Sequence, residues 1–74
     1  MAHVNVRLTI RQGLETKFPN IDPESPAIDL ALFRILKEQY PTEFDRDDQQ
    51  ILEELERNLE NGKFEQLPAE AGAA

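Results

Sequence analysis

Few residues of this chain have the chemistry of a catalyst. Ser25 is the only serine, His3 is the only histidine, and there is no cysteine. Catalysis by a nucleophile and a base would require His3 and Ser25 to meet, and no motif is present that would orient such a pair. The three glycines are scattered, so the sequence has no glycine-rich loop to bind phosphate. These features predict that the protein is not an enzyme.

The sequence also argues against a metal site. A chain with one histidine and no cysteine excludes thiolate and histidine-rich sites. The acidic side chains from Asp45 to Glu56 have spacings similar to those of a calcium-binding EF-hand loop, but Gln50 stands where that loop requires glycine. We therefore expect no metal and no other cofactor.

The charge of the chain is unevenly distributed. The 74 residues carry a net charge of −7, which argues against a generic nucleic-acid binder. Residues 1–20 contain three basic residues and one acidic residue, whereas residues 21–74 contain five basic and fourteen acidic residues. This asymmetry predicts two surfaces with different partners.

Residues 3–10 predict a β-strand. Apolar and polar residues alternate strictly, with Val4, Val6, Leu8 and Ile10 on one face and His3, Asn5, Arg7 and Thr9 on the other. A period of two is typical of a half-buried strand, and the β-branched content agrees. No equally good partner strand is present elsewhere in the chain.

Residues 11–21 fit two structures. In the first, residues 12–18 form a short helix with Leu14 and Phe18 on one face and Pro19 as its stop. In the second, Gly13 lies in a three-residue hairpin loop, and a second strand follows it. We favour the helix, because Glu15 and Lys17 are weak strand formers.

Residues 23–40 form the strongest helix candidate. Either Asp22 caps the helix with Pro23 at its first position, or Ser25 caps it and Pro26 follows. The helix is apolar around most of its circumference, and Pro41 ends it. Such a helix must be buried on most sides. A single strand and a short helix are too little cover, so we expect a second copy of the chain to supply the rest.

A third helix is predicted over residues 45–61, and residues 67–74 are expected to form a disordered tail. Asp45 is the predicted N-cap, and Gly62 ends the helix. We therefore expect one domain over residues 1–66.

The chain has no apolar run near 18 residues and no signal sequence, which predicts a cytoplasmic protein and no membrane contact. A core this small is marginal without a staple, and a homodimer is the staple that the composition still allows.

The order of strand, short helix and long buried helix resembles the ribbon-helix-helix family of DNA-binding proteins, which includes Arc-, CopG- and ParD-type members. The matching part is His3 to Thr9, a turn near Asn20, and the helix from Ser25 to Gln39, about half the chain. The resemblance implies a mostly α dimer with one N-terminal strand, here extended by a C-terminal amphipathic helix. It also implies that the strands of two chains pair and lie in the major groove of double-stranded DNA.

By this resemblance, the outward side chains of the ribbon would contact bases and neighbouring groups would contact phosphate. The implied base readers are His3, Asn5, Arg7 and Thr9, and the implied phosphate contacts are Arg11, Lys17 and the start of the long helix at Ser25. Arginine can donate two hydrogen bonds to guanine, and asparagine can pair in the same way with adenine. The implied function is a sequence-specific transcriptional regulator, with the antitoxin of a toxin–antitoxin pair as one form of it.

The acidic helix 45–61 has two interpretations. In ParD-like antitoxins an acidic amphipathic segment wraps a basic toxin, and the corresponding contact stripe here would be Phe44, Ile51, Leu52, Leu55, Leu59 and Phe64. Alternatively the stripe packs on the chain's own core and the carboxylates face water. The alternative function is therefore a small acidic adaptor or inhibitor that binds a basic protein through this helix.

Overall fold

The computed structural model describes residues 5–68, which fold into three helices and one short turn of 3₁₀ helix. Helix α1 spans Val6–Lys17, α2 spans Pro26–Gln39, the 3₁₀ turn spans Pro41–Glu43, and α3 spans Arg46–Glu60. Helices α1 and α3 both pack against α2, which is therefore the central element. None of the helices in the described range is long and apolar enough to cross a membrane.

The predicted N-terminal strand is wrong. Residues 5–68 contain no strand, and Val6–Lys17 is a continuous helix that includes most of the segment expected to form the ribbon. His3 and Val4 lie outside the described residues. The predicted ribbon-helix-helix fold is wrong as well, because that fold requires a strand to pair with its copy. Residues 12–17 of the favoured helix lie within α1 and Phe18 is its C-cap, so Gly13 is inside the helix rather than in a hairpin loop.

The segment forms a helix because its apolar residues fit a period of four as well as the period of two that predicted a strand. Val6, Ile10, Leu14 and Phe18 are spaced by four residues, so a helix also brings them onto one side. Leu14 is buried, and Ile10 and Phe18 pack against the same core. Leu8 fits only the period of two, and it is 49% exposed.

Local capping at Asn5 also favours the helix. The Asn5 side-chain oxygen accepts the Leu8 backbone N–H at 3.1 Å, which satisfies a donor that the first turn would otherwise leave unpaired. At the other end, Phe18 is the C-cap and Pro19 follows it, so the helix has no donor with which to continue.

Helix α2 begins where the second of the two capping alternatives placed it. The Ser25 hydroxyl accepts the Ala27 backbone N–H at 3.2 Å, and Pro26 is the first helical residue. Side chains around most of the circumference are buried, namely Ala27, Ile28, Leu30, Ala31, Leu32 and Leu36. The prediction of a helix buried on most sides is therefore confirmed.

The cover for α2 comes from within one chain. Besides α1 and α3, the segment after α3 returns to the core, where Leu67 is only 1% exposed and Phe64 packs against the same cluster. Leu67 was expected to begin a disordered tail over residues 67–74, and instead it is a core residue; residues 69–74 lie outside the described part of the chain. Because Ile28, Leu30 and Leu36 have no exposed surface in the single chain, the argument that α2 needs a second copy no longer holds.

Helix α3 agrees closely with its prediction. Asp45 is the N-cap and forms a capping box with Asp48, in which each side chain accepts the other residue's backbone N–H. Gly62 has φ of 75° in the left-handed region, and the Lys63 N–H reaches back to the Asn58 carbonyl at 2.9 Å. This closure lets the chain leave the helix and turn towards the core.

Candidate protein-binding surface

Arg7 joins three elements of the fold. Its guanidinium donates to both carboxylate oxygens of Asp48, at 2.8 and 2.6 Å, and to the backbone carbonyl of Glu43 at 2.9 Å. The start of α1 is thereby fixed to the 3₁₀ turn and to the first turn of α3. Arg7 was implied to contact bases, but in this structure both terminal nitrogens of its guanidinium already donate to the protein.

Asp48 is the only charged residue buried in the described part of the chain, at 5% exposure. The bidentate hydrogen bond from Arg7 lowers the pKa of Asp48 to about 2, against the opposing effect of burial, and the Asp45 backbone N–H lowers it further. The carboxylate is thus ionised and paired at neutral pH. This arrangement stabilises the fold and offers no acid or base for catalysis.

The other implied DNA contacts on α1 and α2 are also used locally. Arg11 donates to Asp29 and to the Pro23 carbonyl, both at 2.8 Å. The remaining side chains act at helix ends or along the helix: Asn5 and Ser25 as N-caps, Thr9 bonded to the Asn5 carbonyl, and Lys17 5.7 Å from the centre of the Phe18 ring. His3 lies outside the described residues. The structure therefore gathers no exposed basic patch from the described members of this set.

An open cleft of about 560 Å³ lies beside Arg11, between α1 and the loop before α2. Its lining consists of Arg11, Glu15, Pro23, Glu24 and Asp29. Because the single guanidinium is bonded to Asp29 and Pro23, the cleft does not present a free cation to an anionic ligand. Residues 5–68 also contain no group of three or more ligand side chains placed to hold a metal.

The predicted contact stripe of α3 divides between core and surface. Leu52 is 2% exposed and belongs to the core, and Phe64 packs against the core cluster. Phe44, Leu55 and Leu59 are half-buried. Ile51 alone among the six is well exposed, at 43%. The interpretation that the stripe packs on the chain's own core thus describes most of these residues.

Ile51 lies in a row of side chains that we call the acidic edge. The acidic edge consists of Asp47, Ile51, Glu54 and Asn58. Successive residues of a helix are rotated by about 100°, so the spacings of four, three and four between these residues place their side chains within an arc of about 60°. Asp47 and Glu54 are exposed, and within residues 5–68 neither carboxylate makes an ion pair.

The opposite side of the exposed surface, which we call the neutral flank, has balanced charge. It consists of Arg46, Gln50, Glu53, Arg57 and Glu60, all of them exposed. Two arginines and two glutamates cancel there, whereas the acidic edge carries only negative charge. Helix α3 therefore concentrates its uncompensated charge around its one exposed large apolar side chain.

The sequence contained a signal for this edge that the stripe prediction did not use. The stripe is defined by its apolar residues alone, and it treats the acidic residues of α3 together as facing solvent. A helical projection separates Asp47 and Glu54 from Glu53 and Glu60, which share a face with Arg46 and Arg57. Asp48, by contrast, was identified only as a first-turn acid, and its pairing with Arg7 across 41 residues of sequence has no local signal.

No protein-family model, curated protein or solved structure matches this chain.

Proposed function

We propose that this protein is a small acidic binding protein that holds a cationic segment of a protein partner against the acidic edge of α3. The observation that carries the proposal is the placement of the Asp47 and Glu54 carboxylates beside the exposed Ile51, with no cation of residues 5–68 paired to them. If a partner covers Ile51, the flanking carboxylates add an electrostatic preference for positive charge to that apolar contact.

Charge supports a basic partner. The chain has a net charge of −7, and α3 has six acidic residues against two basic ones. Charges of opposite sign on a partner would accelerate its approach and suppress wrong partners. The neutral flank does not share this preference, so orientation on α3 is set by the acidic edge.

The proposal replaces the DNA-reading ribbon as the mechanism. The strand that would carry the base readers is absent from the described residues, and Arg7 and Arg11 are already bonded to Asp48 and Asp29. Binding rather than catalysis is also in keeping with Ser25, whose hydroxyl serves as the cap of α2. The role is that of the adaptor or inhibitor that the acidic helix suggested.

The test measures binding of a fluorescent lysine–alanine helical peptide by anisotropy at low and high salt. The double variant Asp47→Asn/Glu54→Gln is compared with Glu53→Gln/Glu60→Gln, which removes the same two charges from the neutral flank. We expect the first to weaken binding about fivefold and the second by less than about twofold, since exposed ion pairs contribute about 0.2–1 kcal/mol each.

Two outcomes would count against the proposal. Equal weakening by both double variants would mean that the peptide follows net charge alone and that the acidic edge is not a site. Tight, salt-sensitive binding of a labelled DNA duplex in the same assay would favour the nucleic-acid function instead.

A further inference from the structure

The spacing along the acidic edge limits the kind of partner segment that fits it. Asp47 and Glu54 are seven residues apart, which is about 10 Å along a helix axis. Ile51 lies between them, about 6 Å from the level of Asp47 and 4.5 Å from that of Glu54. A matching segment must therefore present two cations about 10 Å apart with an apolar side chain between them.

An extended segment does not match this spacing. Side chains on one face of a strand are separated by two residues, so they recur at about 7 and 14 Å. A helix places side chains seven residues apart on one face, about 10 Å from each other, with the third or fourth residue between them on the same face.

We infer, on the basis of the proposed function, that the partner segment is a cationic amphipathic helix whose apolar residue packs on Ile51 while its flanking lysines or arginines pair with Asp47 and Glu54. Leu55 is half-buried one turn beyond Ile51 and widens the apolar contact. Neighbouring carboxylates keep the site selective for helices with positive flanks. The apolar contact then supplies affinity, and the charges set the register.

The same charges disfavour a second copy of this chain as the occupant. Two acidic edges placed face to face would bring four carboxylates around two isoleucines without any cation. Like charges across an interface are unfavourable. Arg46 and Arg57 lie on the neutral flank, outside the arc of the acidic edge, so the two facing edges themselves contribute only negative charge.

The experiment compares two synthetic peptides about 18 residues long, the length needed for appreciable helix in isolation. Each has lysines three and four positions on either side of a central residue, in an alanine–glutamine background, so that either orientation can pair with the edge. The central residue is leucine in one peptide and serine in the other. The full chain is tested with both peptides, alongside the variants Ile51→Ser and Leu8→Ser, because Leu8 is an equally exposed apolar residue on α1.

We expect the leucine peptide to bind the chain about tenfold more tightly than the serine peptide, which is the effect of burying one modest apolar contact. This advantage should disappear in Ile51→Ser and persist in Leu8→Ser. Circular dichroism of both variants verifies that the helices are retained.

The outcomes separate this inference from the proposed function. If both peptides bind equally well and still depend on Asp47 and Glu54, the acidic site stands and the apolar helix partner is wrong. If the leucine advantage survives Ile51→Ser, the apolar contact lies elsewhere and the inference is overturned. If neither peptide binds, both proposals fail. A change in the sedimentation mass of the unliganded chain on Ile51→Ser would show that a second copy occupies the edge, which also overturns the inference.

Discussion

At the scale of single residues, the Arg7–Asp48 pair shows why side-chain type alone did not reveal a role. Arginine on an alternating segment suits base recognition and suits an ion pair equally well. The choice depends on Asp48, which is brought to Arg7 only by the packing of α1 and α3 on α2. The partner of Arg7 is the buried carboxylate of Asp48, so the ion pair helps to hold α1 and α3 together.

This pair makes a prediction about stability at neutral pH. The pKa of Asp48 falls from 3.8 in the unfolded reference to about 2 in the fold, a shift equivalent to about 2 kcal/mol. Asp48→Asn should therefore lower the free energy of unfolding by about 2 kcal/mol, measured by urea denaturation at pH 7. Asp29→Asn is the matched control. It removes the half-buried partner of Arg11 and should cost less than about 1 kcal/mol. An equal cost for both variants would mean that burial of Asp48 contributes nothing.

The same pair predicts a pH dependence at the acid end. Because the folded state depresses the pKa of Asp48, its contribution is complete above about pH 4 and is lost as the pH falls towards 2. The stability of the native chain should therefore fall over this interval more steeply than that of Asp48→Asn. Parallel acid profiles for the two proteins would contradict the depressed pKa.

At the scale of elements, the sequence predicted a helix well where neighbouring residues determine it and poorly where contacts distant in sequence determine it. Helix α3 was predicted within a residue or two at each end, because Asp45 and Gly62 mark its ends in the sequence itself. Helix α2 was predicted with its buried circumference. Helix α1 was predicted in part as a strand, because its apolar residues satisfy periods of two and of four. Packing of Leu14 against α2 decides between them, and that contact is invisible in the local sequence.

The two glycines within and after the helices should respond in opposite directions to substitution by alanine. Gly13 is inside α1, and a Cβ there meets open space. Gly13→Ala should stabilise the protein by about 0.5–1 kcal/mol, because glycine lowers helix stability by that amount. Gly62 has positive φ, so Gly62→Ala should destabilise. Thermal denaturation followed by circular dichroism measures both. A destabilising Gly13→Ala would contradict the helical assignment of this segment.

The return of the chain after α3 predicts that Leu67 behaves as a core residue. Leu67→Ala should cost about 2–4 kcal/mol in the free energy of unfolding, because it leaves a cavity beside α2. Leu8→Ala, the same change at an exposed position, should have an effect within about 0.5 kcal/mol. If Leu67→Ala is as mild as Leu8→Ala, the terminal segment does not pack as described.

At the scale of the whole molecule, the single chain buries its central helix without help. The homodimer was predicted because α2 has more apolar surface than one strand and one short helix could cover. Three further elements, a full-length α1, α3 and the segment carrying Leu67, supply that cover. We therefore expect a monomer by sedimentation at micromolar concentration. A stable dimer that dissociates only on unfolding would contradict this view of the core.

The acidic edge is also a property of the whole molecule, because it depends on which face of α3 the core leaves exposed. Sequence composition indicated an acidic partner-binding helix, but the burial of Leu52 moved the accessible surface from the predicted stripe to its border. Under the proposed function, the residues that would contact the partner are therefore Asp47 and Glu54 as well as Ile51. Charge counted along the sequence could not distinguish these from the acids of the neutral flank.

The most direct test of the acidic edge as a binding site is a titration of the isotopically labelled chain with the leucine peptide, followed by two-dimensional NMR of the backbone amides. We predict that the shifts at low peptide concentration concentrate along α3 at Asp47, Ile51, Glu54 and Asn58, and that the amides around the cleft beside Arg11 stay unchanged. Shifts centred on that cleft or on α1, with α3 unaffected, would contradict it.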